Sequence, residues 1–149
     1  MVNFLECVMQ WTTINDLISE LGTSKLAELS GDGSEIIQSV VDDAISSATE
    51  EVKAYISVRY KFEDAPIPVL FRELTKKIAI YNLFLRKNRE MIVPIEVANE
   101  KNEAVRLLEQ IKTGNIKIEL TEKPSKIIFH SGKRYFDDVY LDEFRNFRE

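Results

Sequence analysis

From Ile37 to Arg59 the side chains of Ile37, Val41, Ala44, Ala48, Val52, Tyr55 and Arg59 recur every three or four residues without a break. That period gathers them on one face of an α-helix and leaves Asp42, Ser46, Glu50, Lys53 and Ser57 on the opposite face. Ser34, which follows the Gly31-Asp32-Gly33 turn, is suited to cap such a helix, so the spacing predicts a helix over Glu35 to Tyr60. At a rise of about 1.5 Å per residue this is a rod of roughly 40 Å. A chain of 149 residues must build the rest of its core along that rod, which points to packed helices. Only 5 Gly and 4 Pro are present, too few to punctuate a sandwich or barrel.

The remaining punctuation supports the same architecture. Thr13 with Asp16 forms a capping pattern for a short helix through Leu17, Ile18 and Leu21, and Gly22 is suited to stop it. A second short helix follows over Ser24 to Ser30. Pro66 and Pro68 break the chain and restart it at Val69, from which apolar residues continue to about Lys87. Leu70, Leu74, Ile78, Tyr81 and Leu85 form one stripe, while Phe71, Ile80, Leu83 and Phe84 make the other side apolar too, the pattern of a central core helix. Pro94 opens a last helix with Val97, Ala104, Leu108 and Ile111 on one face, and Gly114 closes it. The expected fold is all-α, a compact bundle of about five helices, two short and three long.

Residues 116–149 read differently. Ile116, Ile118 and Leu120 alternate with polar residues, and Lys126 to Phe129 and Arg134 to Phe136 flank a Ser131-Gly132 turn, so an extended or short-β tail is expected. Phe129, Tyr135, Phe136, Tyr140, Leu141, Phe144 and Phe147 crowd a segment with no second core of its own, and such a series calls for a surface to cover it.

Charge and composition narrow the function. The formal net charge of -5 disfavours a protein that grips nucleic acid by neutralising phosphates. Charge is also divided along the chain: Glu35 to Tyr60 carries five acids against two bases, whereas Val69 to Arg89 carries six bases against Glu73 alone. An acidic and a basic helix in one subunit suit charge-complementary neighbours, or form two solvated faces. No segment approaches the roughly 20 apolar residues of a membrane span. The first eleven residues lack the basic start and cleavage site of a signal peptide.

Chemistry finds little to work with. Cys7 and His130 are the only residues of their kinds and stand near opposite ends of the chain, so neither a zinc site nor a Cys-His pair is expected. Asp32 and Asp43 are spaced as the first and twelfth positions of a calcium loop, but Ile37 stands where that loop needs Gly, and Ile36 where it needs an oxygen ligand. Asp42-Asp43 and Glu50-Glu51 are adjacent pairs, which diverge by about 100° on a helix and share no site. Phosphate-loop, nucleophile-elbow and dinucleotide motifs are missing, and no enzyme, cofactor or metal is expected. The two short helices around Gly22 have helix-turn-helix length, yet Thr12 to Glu35 carries Lys25 as its sole base against five acids.

A series of marks in order then resembles a known family. Met9-Gln10-Trp11-Thr12-Thr13, Asp16-Leu17, Leu21-Gly22 and Leu26-Ala27-Glu28-Leu29 come first, followed by Asp43-Ala44, Ala48, Glu51-Val52, Tyr55-Ile56, Arg59-Tyr60, Pro66 and Pro68. Ile78-Ala79-Ile80-Tyr81-Asn82-Leu83, Ala104, Leu107-Leu108, Ile111 and Gly114 continue it, and Ser131-Gly132-Lys133-Arg134-Tyr135-Phe136 through Leu141 and Phe144 end it. Together they are similar to the Mu-like phage and prophage proteins placed among head-tail connector components.

The resemblance implies residues 1–8 as an extension before a usual start at Met9, 9–115 as the helical connector-like domain and 116–149 as the aromatic tail. It implies a structural subunit, made in the bacterial cytoplasm and placed at the head-tail junction of the virion, in a ring of about a dozen copies. Its partners would be further copies of itself, the portal and the tail-completion proteins, with genomic DNA only passing through and no membrane. Arg59, Tyr60, Phe129, Arg134, Tyr135, Phe136, Tyr140, Leu141 and Phe144 are the residues expected at the subunit or partner interface. The rival classes are a helical protein-interaction module and a DNA-binding regulator.

Overall fold

The computed structural model describes residues 10–61, 66–87 and 93–120, and within them the chain forms five α-helices and no strand. They are α1 (Ile14–Leu21), α2 (Thr23–Ser30), α3 (Gln38–Ile56), α4 (Val69–Lys87) and α5 (Ile95–Thr113). The two short and three long helices of the expected bundle are all present.

α1 begins where Thr13 and Asp16 exchange hydrogen bonds. The Thr13 N–H donates to the Asp16 carboxylate at 2.8 Å, and the Asp16 N–H donates to the Thr13 hydroxyl at 3.4 Å, a reciprocal capping box. It ends at Gly22, whose φ of 81° turns the chain directly into α2 while its N–H closes on the Ile18 carbonyl at 2.8 Å. This left-handed turn is what glycine supplies at low cost.

α3 is shorter than the sequence pattern predicts, and Ser34 is not its cap. The Ser34 N–H and hydroxyl both donate to the Asp32 carboxylate, at 3.0 and 2.6 Å, closing a local turn that competes with helix initiation. The chain stays non-helical through Ile37, whose N–H is taken by the Ser30 hydroxyl at 3.0 Å, and the helix starts at Gln38 without a side-chain cap. Nineteen residues make a rod of about 28 Å rather than 40 Å. The buried face is also shifted and wider than the expected stripe. Val40, Val41, Ala44, Ile45, Ala48, Thr49, Val52 and Ile56 are covered, Tyr55 and Arg59 only partly, and Ile37 lies 45% exposed.

α4 is the central helix. It packs against all four others, and Phe71, Leu74, Ile78, Ala79, Ile80, Leu83 and Phe84 are buried around nearly its whole circumference. α5 touches α3 and α4 through Ala104, Leu108 and Ile111. The buried hydroxyls of Thr49 and Thr75 donate to the carbonyls one turn back, Ile45 at 2.8 Å and Phe71 at 2.7 Å, and so carry no unmet polar cost. Among the described residues no buried side-chain nitrogen or oxygen lacks a partner, and no helix is long and apolar enough to cross a membrane.

Candidate functional site

Arg59 and Tyr60 lie at the end of the bundle where α3 and α5 terminate and α4 begins. α5 stops at Gly114, which adopts the left-handed conformation with φ 84°, and the carbonyl of Gln110 then accepts the N–H groups of Asn115 at 2.9 Å and Ile116 at 3.2 Å. The Arg59 guanidinium lies against the Gly114 Cα, in the space a β-carbon would need. A cation at this position also sits favourably at the negative end of the α5 dipole. Arg59 is therefore packed within its own subunit.

Tyr60 corrects the sequence expectation. It is wholly buried in the isolated chain, so it is a core residue and not part of a surface. Its hydroxyl accepts the N–H of Ile118 at 3.3 Å, fastening the segment after α5 to the end of α3. Ile116, Ile118 and Leu120 all pack partly buried against the core, so the chain is held for several residues beyond Gly114. The N-terminal side of the described chain meets the same end of the bundle. Trp11 stacks on Phe71, in the first turn of α4, with ring centroids 5.7 Å apart, and the Lys53 ammonium near the end of α3 lies 6.0 Å from the Trp11 ring. Both flanking segments thus depart from one pole.

The opposite pole joins the end of α4 to the turn after α2, where the Lys87 ammonium donates to the Gly31 carbonyl. Between the poles, several charges are spent inside the subunit. Lys76 on α4 bridges Glu73 at 2.8 Å and Glu20 of α1 at 3.2 Å. The hydrogen bond to Glu73, and then that to Glu20, raise the ammonium above its ordinary pKa. Lys101 of α5 reaches Glu51 of α3 at 3.8 Å and lies 4.5 Å from the Tyr81 ring of α4. The acidic and basic helices seen in the sequence are therefore partly stitched together within one chain, while Asp43, Glu50, Arg72 and Arg86 stay exposed.

The loop around Asp32 has no ligand arrangement. The Ser34 hydroxyl, and then the Ser34 N–H, donate to the Asp32 carboxylate and hold its pKa below the usual value. No group of three or more His, Cys, Asp or Glu that could hold a metal occurs among the described residues. In the α1–α2 pair, Leu26, Ala27, Leu29 and Ser30 of α2 are buried, and Lys25 pairs with Glu28 at 3.0 Å. A recognition helix would need that face and that cation for a duplex.

Of the residues expected at an interface, Phe129, Arg134, Tyr135, Phe136, Tyr140, Leu141 and Phe144 lie outside the described residues, as do Cys7 and His130. The Arg59–Gly114 and Tyr60–Ile118 contacts were not foreseen. The alternation of Ile116, Ile118 and Leu120 is their only sequence signal, and it fits the start of an extended tail equally well.

Comparison with known proteins gives one family. A model described as Bacteriophage Mu, Gp36 matches residues 11–130, so the similarity runs through all five helices and ends before Ser131. No curated protein matches the chain.

Proposed function

Because this chain belongs to the bacteriophage Mu Gp36 family, a family of phage proteins, we propose that it is a structural subunit of a head-tail connector. In this reading identical subunits form a ring between the DNA-filled head and the tail of the virion, and the protein performs no catalysis. Its partners are its own copies, the portal and the tail-completion proteins. DNA is cargo: a net charge of -5 allows a duplex to pass without being gripped through its phosphates.

The observation that carries this reading is the fastened root of the C-terminal segment. Gly114 stops α5, Tyr60 receives Ile118, and Leu120 packs on the core, so the chain that leads on to the aromatic series leaves the bundle at Leu120 from a fixed place. A head-to-tail contact made by such an arm closes into a ring when the rotation between subunits permits. Rings need no chemistry, only a surface that repeats.

The test is deletion of residues 121–149, which keeps the Tyr60–Ile118 contact. The truncated chain is expected to retain its helical circular dichroism and to fail to co-sediment with the portal ring of the same phage, whereas the full chain co-sediments. Unchanged assembly, or collapse of the helical signal, would overturn the reading.

A further inference from the structure

The connection between α2 and α3 leaves one helix end unfinished. α3 starts at Gln38 with no side-chain cap, although Ser34, just upstream, carries a hydroxyl suited to that task. Ser34 is held elsewhere, since its N–H and its hydroxyl both donate to Asp32, at 3.0 and 2.6 Å. Ile37 is held too. The Ser30 hydroxyl accepts its N–H at 3.0 Å, and its side chain lies against Gly31, in the space a β-carbon would need. From α4 the Lys87 ammonium donates to the Gly31 carbonyl, and its charge also favours the Asp32 carboxylate. Asp32 and Ser34 are both exposed, so core packing does not fix their pairing.

We infer that residues 34–37 are a conformational switch: when Asp32 releases Ser34, Ser34 caps α3, and Glu35, Ile36 and Ile37 wind on as its new first turn. The segment is equipped for that state. Glu35 would enter the first turn, where an acid suits the positive end of the helix dipole. The N–H groups of Gln38 and Ser39 would meet the carbonyls of Ser34 and Glu35. Ile37, now 45% exposed, would turn onto the side of α3 that holds the buried Ala44 and Ala48, seven and eleven residues on. Gly31-Asp32-Gly33 would remain as the connection, a length common between packed helices, and its two glycines let the backbone adjust. What opposes the change is Ile36. It packs partly buried against the core, and in the longer helix it would turn out to the exposed side that carries Asp43 and Ser47. That loss, with the bonds to Asp32, holds the single chain in the short form. A partner surface that covers Ile36 or draws Asp32 away would favour the long one, which extends α3 by about 4.5 Å at the pole opposite the root of the C-terminal segment.

The experiment compares the full chain with Asp32→Ala and with Asp32→Ala/Ser34→Ala by backbone NMR and amide hydrogen exchange. Both sites are exposed, so neither variant threatens the core. In Asp32→Ala the Cα shifts of Glu35, Ile36 and Ile37 are expected to move to helical values, and exchange at Gln38 and Ser39 to slow several-fold. Replacing Ser34 as well removes the cap, and both changes are expected to revert. Shifts at residues 35–37 that stay non-helical in Asp32→Ala would overturn the inference. So would a new first turn that survives the loss of Ser34, because the switch would then not depend on which partner Ser34 takes.

Discussion

The two halves of α4 share a helix, a stripe and a sequence character, yet they have opposite surroundings. At Ile80, Leu83 and Phe84 the stripe is buried, while at Val69 it meets solvent. Apolar spacing identifies a face that needs cover and says nothing about where the cover comes from. Substitution separates the cases. Leu83→Ala, in the fully buried half, is expected to cost about 2–5 kcal/mol of unfolding free energy. Val69→Ala is expected to change stability by no more than about 0.5 kcal/mol, since it removes contacts that the single chain does not make. Urea denaturation of the two variants measures both. Equal losses would break the comparison, because Val69 would then be covered within its own chain.

The next largest effects belong to the pole from which the flanking segments depart. Gly114→Ala places a β-carbon on a left-handed residue and against the Arg59 guanidinium, and about 1–2 kcal/mol of destabilisation is expected from the backbone alone. Arg59→Ala in the same background should recover any part of the loss that comes from that clash, which a double-mutant cycle reads directly. Tyr60→Phe keeps the buried ring and removes the acceptor of the Ile118 N–H, for an expected loss of about 1 kcal/mol. Amide exchange at Ile118 should quicken while exchange at the centre of α4 follows only the small global change. If the Ile118 amide stays as protected as before, Tyr60 is not what holds the root of the tail.

The parts of this fold that were legible in the sequence are those marked by residues with few alternatives. Pro68 and Gly22 bound helices where the spacing places them, α4 runs from Val69 to Lys87 as expected, and Gly114 ends α5. The start of α3 was hidden because Ser34 has two short-range partners to choose between, the helix amides and Asp32, and the nearer carboxylate wins. The buried face of α3 departs from the expected stripe for a different reason, its packing neighbours. Four helices contact α3, so its covered arc takes in Ile45 and Ile56, which a single narrow stripe leaves out. The candidate interface was legible in composition and not in place. Tyr60 pairs with Ile118, 58 residues away, and no local pattern distinguishes a tyrosine that receives a distant backbone amide from one that meets a neighbour.

The smallest expected effect tests the cap of α1, the helix whose Asp16 and Glu20 interact with Arg72 and Lys76 in the first half of α4. The Thr13 N–H, and then the Thr13 and Thr12 hydroxyls, donate to the Asp16 carboxylate and, against a modest opposing effect of burial, hold its pKa below the ordinary aspartate value. A carboxyl whose folded-state pKa lies below its unfolded-state value stabilises the fold above the unfolded value. It loses that contribution as the pH falls through the folded one. The Asp16 contribution should thus be complete at neutral pH and decline from about pH 4 downward. Solvent screening at this exposed site keeps it near about 0.5 kcal/mol. Asp16→Asn is expected to be slightly less stable than the native chain at pH 7, with the gap closing below about pH 4. The comparison cancels every other carboxylate, including Asp32 with its own Ser34 bonds. A gap in urea midpoint that stays constant from pH 7 to pH 3 would show that the Asn side chain fails for its shape and not for its charge.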